Sequence, residues 1–195
     1  METAAYCVAV VTVVTAPPAV VCWLLVHPFA EKWRSVGPIV TYVTIGSLIV
    51  LSMVGIYRIR EPILRIRFGF SMPLWILAAF LFGVAVYIEV QRHRALRTIV
   101  LIGLPEISNQ AGPGELITQG IYSFIRHPRY LVGGLLIAAA AFLSNYLAVY
   151  LVLLAYIPFI YAVVVFEERE LKTRFGTTYE EYCMKVPRFV PRLRR

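Results

Sequence analysis

Four apolar runs, each about as long as a bilayer is thick, constrain this chain more than any motif does. A helix crossing roughly 30 Å of hydrocarbon takes about 20 residues. Residues 4–26, 37–57, 70–88 and 147–166 meet that length with few charges. Inside a bilayer the backbone has to satisfy its own hydrogen bonds, which makes runs of this kind helical. A fifth run, residues 130–143, is shorter, and only Ser144-Asn145-Tyr146 separates it from the fourth. The expected fold is all-α: a polytopic membrane helical bundle of about five transmembrane helices, ending in a C-terminal helical hairpin. If the short arm does not cross, the count is four. With 59% hydrophobic and 15% charged residues, the composition excludes an ordinary soluble domain.

Lys and Arg accumulate on the cytoplasmic side of membrane proteins. Arg169, Lys172, Arg174, Lys185, Arg188, Arg192, Arg194 and Arg195 follow the last span, whereas only Glu2 is charged before the first. The tail is therefore expected in the cytoplasm and, with five spans, the N-terminus outside. Arg58, Arg60, Arg65 and Arg67 run against this rule, because five spans place them outside. The net charge of +8 is read as affinity for anionic membrane lipids, with no nucleic acid partner. The apolar N-terminus lacks a basic leader and is read as a span rather than a signal peptide. Pro17-Pro18 within it is expected to kink the helix. Oligomeric state is left open.

Cys7 and Cys22 would lie about 22 Å apart on one helix at 1.5 Å per residue, so no disulfide framework exists, and Cys183 falls on the tail. No metal-ligand spacing is present. His27 and His93 are read as isolated interfacial residues. Two regions are expected: an N-terminal three-helix membrane region, residues 1–97, and a region of residues 98–195 comprising a long loop, the hairpin and the tail.

Residues 92–130 are too many for an ordinary connection, and loops of that length are usually functional or disordered. This one carries an apolar turn, a Gly112-Pro113-Gly114 bend, then Glu115-Leu116-Ile117-Thr118-Gln119-Gly120-Ile121-Tyr122. The bend follows no strand, so it is a turn rather than a dinucleotide fingerprint.

Arg126-His127-Pro128-Arg129-Tyr130 opens the hairpin, and Glu167-Glu168 answers it at the far end. Pro suits the first helical position, which leaves Arg126 and His127 at a helix N-terminus. Free N–H groups, the helix dipole and an arginine fork together suit a carboxylate or phosphate. Anchoring at lipid headgroups is the alternative, and the preferred one for Arg129 alone. Folding about Asn145 brings Arg126 and Tyr122 level with Val164 and Glu168. Consecutive helical residues diverge by about 100°, so only one of Glu167 and Glu168 should face the cleft squarely. Gly176 is expected to cap the last long helix, and Thr178 to Glu181 to form a capping box. Val186-Pro187-Arg188-Phe189-Val190-Pro191 is either a strap across the cleft or a basic surface tail.

Taken together, Arg126-His127-Pro128-x-Tyr130, the hairpin, Glu167-Glu168, Leu171, Phe175-Gly176, Tyr179, Tyr182 and Val186-Pro187 resemble the isoprenylcysteine carboxyl methyltransferase family of integral membrane enzymes. The likeness covers the C-terminal part of the chain. It implies methyl transfer from S-adenosylmethionine, leaving S-adenosylhomocysteine, to the carboxylate of a lipidated cysteine or another lipophilic acceptor entering from the bilayer. By matching positions it implies cofactor contacts at Glu115, Leu116, Ile117, Tyr122, His127, Pro128, Arg129 and Tyr130. Arg126 would be catalytic or orienting, Glu167 a substrate-side carboxylate and Glu168 its neighbour. Two positions depart from the family pattern: Leu131-Val132 precedes Gly133-Gly134, and Val163 stands where a basic residue is usual. The same elements are similar to phospholipid N-methyltransferases and, more distantly, to NADPH-dependent sterol C14-type reductases. A non-enzymatic transport component ranks last, because no repeat or intramembrane charge pattern supports it.

Overall fold

A computed structural model describes residues 2–95 and 116–191. Among these residues the chain is helical except for turns and one isolated bridge, as expected. Eight α-helices follow in order: α1 Glu2–Val26, α2 Ala30–Val36, α3 Pro38–Arg58, α4 Arg60–Ile63, α5 Met72–Ala95, α6 Pro128–Ser144, α7 Leu147–Phe175 and α8 Thr177–Lys185. Helices α1, α3, α5 and α7 are long and apolar enough to cross a membrane, and α6 is the shorter fifth. Both α5 and α7 continue past their apolar runs into polar turns, which carries Arg92 and Glu168 on helical scaffolding.

Helix α1 is the hub, packing on α3, α6 and α7, while α5 packs mainly along α6. Only 6% of the most apolar window of α3 is buried, so this helix turns almost all of its surface outward. Val43, Leu51 and Val54 are among its exposed side chains, as a lipid-facing helix requires. The kink expected at Pro17-Pro18 does not interrupt α1, which stays helical through both prolines. Ahead of the prolines, the Thr12 and Thr15 hydroxyls donate to the carbonyls of Val8 and Val11 within the same helix.

The hairpin forms where expected. Asn145 caps α6 in the left-handed conformation (φ 55°, ψ 42°), and α7 begins two residues later. The segment after α4 is tied onto this apex: Phe68 N–H donates to Asn145 O (3.0 Å), Leu147 N–H to Ile66 O (3.1 Å), and the Asn145 side-chain amide to Gly69 O (2.8 Å). Arg67 also pairs with Glu2 at 3.1 Å. The N-terminus, the arginine-bearing loop and the hairpin apex thus share one end of the bundle. The C-terminal ends of α1, α5 and α7 share the other, with the start of α6.

One expectation is corrected. No Thr178–Glu181 capping box forms, because α8 starts at Thr177 with Gly176 as its N-cap and no side-chain cap. Gly176, at φ 56°, turns the chain at once, and its carbonyl accepts from Tyr179 N–H (3.1 Å) and Glu180 N–H (3.3 Å). It is also the C-cap of α7, as the sequence predicts.

Candidate active site

Pro128 opens α6, His127 is the N-cap, and both are buried. The cap is held from outside the hairpin. Arg126 N–H donates to Pro187 O (2.9 Å) and His127 N–H to Arg188 O (3.1 Å), so the 186–191 segment is a strap across the helix entrance. The N-cap N–H of His127, which a helix start would otherwise leave unpaired, is thereby satisfied.

Under the strap lies a cluster of ionisable groups centred on Glu168. Its carboxylate forms an ion pair with Arg126 Nη2 (3.0 Å) and accepts from His127 Nε2 (3.1 Å) and the fork of Arg188, whose Nε stands 3.0 and 3.1 Å from the two oxygens and Nη2 2.7 Å from Oε2. A carboxylate offers no proton, so Nε2 carries one in this arrangement. His127 Nδ1 faces Glu167 Oε2 at 3.5 Å. Burial opposes protonation of His127, yet the two carboxylates outweigh it and raise its pKa above the ordinary imidazole value.

Glu167 and Glu168 differ as helical geometry predicts. The Glu168 side chain is 8% exposed and fully engaged, whereas that of Glu167 is 24% exposed. Both nonetheless reach His127, since the imidazole presents a nitrogen to each. Arg126 Nε and the hydroxyl of Tyr179 are among the buried polar atoms that lack a hydrogen bond within the described residues. Tyr179 is 1% exposed, and its hydroxyl feels the charges of Glu168, Arg126 and Glu167. A buried donor without an acceptor is costly, by about 1–3 kcal/mol, and is common where a ligand completes the set.

Of the other predicted cofactor contacts, Leu116 packs on the Tyr179, Tyr182 and Val186 cluster, and Ile117 is half-buried beside it in sequence. Tyr122 is clamped by Tyr182, whose hydroxyl donates to its carbonyl (2.5 Å). Burial, offset in part by Arg92, pushes the Tyr122 hydroxyl up to about 12, so it stays a donor at neutral pH. Arg129 stacks over the Trp23 ring at 4.1 Å. Tyr130 belongs to the packed core with Ile160, Val163 and Val164, its ring 6.0 Å from that of His127. Glu115 lies outside the described residues.

Three groups escaped the sequence reading. Arg188 was read as part of the 186–191 segment, either a strap across the cleft or a basic surface tail, and was given no role at the Glu168 carboxylate. Tyr179 was noticed as a motif residue without a role. His93 is not isolated: its Nε2 lies 3.0 Å from Glu89 Oε1, and Glu89 also takes a two-pronged contact from Arg92.

Known proteins with similar sequences agree on chemistry. The family model described as phospholipid methyltransferase matches residues 73–178, more than half of the chain. Methanethiol S-methyltransferase 2 of Bradyrhizobium diazoefficiens is 39% identical over 88 residues, 45% of this chain and 32% of that protein. Protein-S-isoprenylcysteine O-methyltransferase of Schizosaccharomyces pombe is 37% identical over 78 residues, 39% of this chain and 33% of that protein. The chain thus covers about a third of the length of each curated relative. No solved structure matches. The matched stretch contains the whole hairpin with Arg126, His127, Glu167 and Glu168, and on that evidence the chain belongs to the phospholipid methyltransferase family of integral membrane methyltransferases.

Proposed function

We propose that this protein transfers a methyl group from S-adenosylmethionine to the carboxylate of a lipophilic acceptor, such as a prenylcysteine or an analogue. The observation that carries the reading is the pair of buried, unpartnered donors, Arg126 Nε and Tyr179 O–H, beside the Glu168 cluster. They fit a carboxylate, which the amino-acid end of the donor supplies. Glu167, partly exposed, fits the amino group of the same end. Leu116 and Ile117, both half-buried, offer apolar surface to the adenosine.

When bound, the donor supplies an electrophilic methyl carbon on a sulfonium and departs as a thioether. A carboxylate acceptor is already ionised at neutral pH, so the protein needs no general base. Its residues have to orient and to exclude water. Arg126 is held by Glu168, and the strap closes over both. The excess of Lys and Arg at this end of the bundle supports a cytoplasmic site and C-terminus.

The second reading is methylation of a phospholipid nitrogen, which the description of the matching family favours. A thiol acceptor is named only for one relative. Calorimetric titration of detergent-purified protein with S-adenosylhomocysteine, and separately with NADPH, tests the donor. We expect saturable binding of the nucleoside, weakened at least tenfold in Arg126→Ala. Binding of NADPH instead would move the chain to the reductases.

A further inference from the structure

We propose that the furrow between α1 and α7 binds one anionic glycerophospholipid, with Arg65 holding its phosphate and an acyl chain lying along the two helices. The head sits at the end of the bundle opposite the Glu168 cluster. This lipid is therefore a bound structural partner rather than a methyl acceptor, and the inference is independent of the donor reading.

Two cavities make up the furrow. One, of about 400 Å³, lies where Ile63, Arg65 and Ile66 face Val13 of α1 and Leu147 and Ala148 of α7. The other, of about 280 Å³, continues between Ala16, Pro17 and Val20 of α1 and Ala155, Tyr156 and Phe159 of α7. Leu151 and Val152 line both, so the two form one track. Space opens there because Ala148, Val152 and Ala155 recur at helical spacing on one face of α7 and carry short side chains. Residues 147–159 span about 18 Å at 1.5 Å per residue. One leaflet is about half of the roughly 30 Å of hydrocarbon, so the track matches the depth that a single acyl chain occupies. Val21, Leu151 and Phe159 are exposed along its open side, where the chain can enter laterally.

Charge at the mouth selects the head. Of the arginines gathered at this end, Arg60 pairs with Glu61 and Arg67 with Glu2. Arg65 lines the mouth, and its guanidinium has no ion pair or hydrogen bond among the described residues. A guanidinium fork at the membrane edge, directly above an apolar track, matches a phosphate that is covalently tied to a hydrocarbon chain. Arg58 adds a second exposed positive charge at this end, which favours a head of net negative charge over a zwitterionic one.

The test incubates the detergent-purified full chain with phosphatidylglycerol, phosphatidylcholine and diacylglycerol of identical acyl chains, and reads the retained lipid by native mass spectrometry. We expect one phosphatidylglycerol per chain, favoured at least fivefold over phosphatidylcholine, with diacylglycerol weakest. Arg65→Gln should abolish that preference, whereas Arg58→Gln, at an exposed residue off the furrow, should keep it. Phosphatidylglycerol should also raise the unfolding temperature of the unmodified protein and of Arg58→Gln, but not of Arg65→Gln. Leu151→Trp and Ala155→Trp, at exposed positions that fill the track, should each lower retention at least fivefold. Equal losses in the two arginine variants would overturn the site in favour of diffuse attraction, and unchanged retention in both Trp variants would overturn the track. Loss of a dimer in the Trp variants with lipid retention unchanged would assign the furrow to a second copy of the chain. Conversion of the retained lipid to a methylated species on adding S-adenosylmethionine would overturn its structural role.

Discussion

Tyr179 separates a packing role from a ligand role. Its hydroxyl is buried without a hydrogen bond among the described residues, so removing it relieves a desolvated group. Tyr179→Phe should hold or raise the thermal unfolding temperature in detergent while weakening S-adenosylhomocysteine several-fold; a stability loss with unchanged affinity would make the residue structural. His127 makes a different prediction. Its folded pKa lies above the ordinary 6.5, so the imidazolium contributes stability that is full below that value and lost as pH rises through the folded pKa. Unfolding temperature should fall on the alkaline side of the imidazole range, and His127→Gln should flatten that slope. Arg188→Ala leaves Glu168 with Arg126 and His127 alone. Because the Arg188 side chain is 35% exposed, the expected loss is modest, about 1 kcal/mol, and the clearer readout is weaker nucleoside binding as the strap loosens.

The helical hairpin depends on two contacts that no periodicity announces. Asn145 joins the apex to the loop after α4, donating to Gly69 O and accepting from the Tyr150 hydroxyl at 2.9 Å. Asn145→Ala should cost about 1–3 kcal/mol, seen as a lower unfolding temperature. Asn145→Gly, which restores the left-handed backbone but not the amide, should recover only part of it. Along the helices, Gly133 admits Tyr156, whose hydroxyl donates to Tyr130 O (2.6 Å). A Cβ at Gly133 would meet that hydroxyl at 2.5 Å. Gly133→Ala should destabilise despite the better helix propensity of alanine, and the penalty should shrink in a Tyr156→Phe background. The glycine pair, out of register with the family pattern, is thus explained by the ring it faces. Val132, at the position in question, is buried against Ala85 and Ile88 of α5.

In the bundle as a whole, the N-terminus and the Glu168 cluster lie at opposite ends. If the site end is cytoplasmic, a membrane-impermeant maleimide added to intact cells should label Glu2→Cys, and should reach Lys185→Cys only after permeabilisation. The reverse pattern would invert the orientation. Arg58, Arg60, Arg65 and Arg67, which the charge rule places poorly, sit with Glu2 at the end away from the site. Several are locally matched there: Arg67 by Glu2, and Arg60 by Glu61 (3.5 Å) and the Tyr57 ring (4.1 Å).

The helices, their approximate spans, the hairpin turn and the proline start of α6 were legible from residues alone. Each follows from local rules: apolar run length, turn chemistry and the fixed φ of proline. So was the meeting of Arg126 with Glu168, because an antiparallel pair returns at equal rise. Which carboxylate is consumed and which stays accessible was not legible, nor that Arg188 completes the cluster, that Tyr179 is left with an unsatisfied hydroxyl, or that Glu89, Arg92 and His93 form one group. Those facts depend on side-chain direction and on segments distant in sequence meeting at one depth. A strap without regular secondary structure carries no periodic signal, and its place is set by the two carbonyls that Arg126 and His127 need as acceptors.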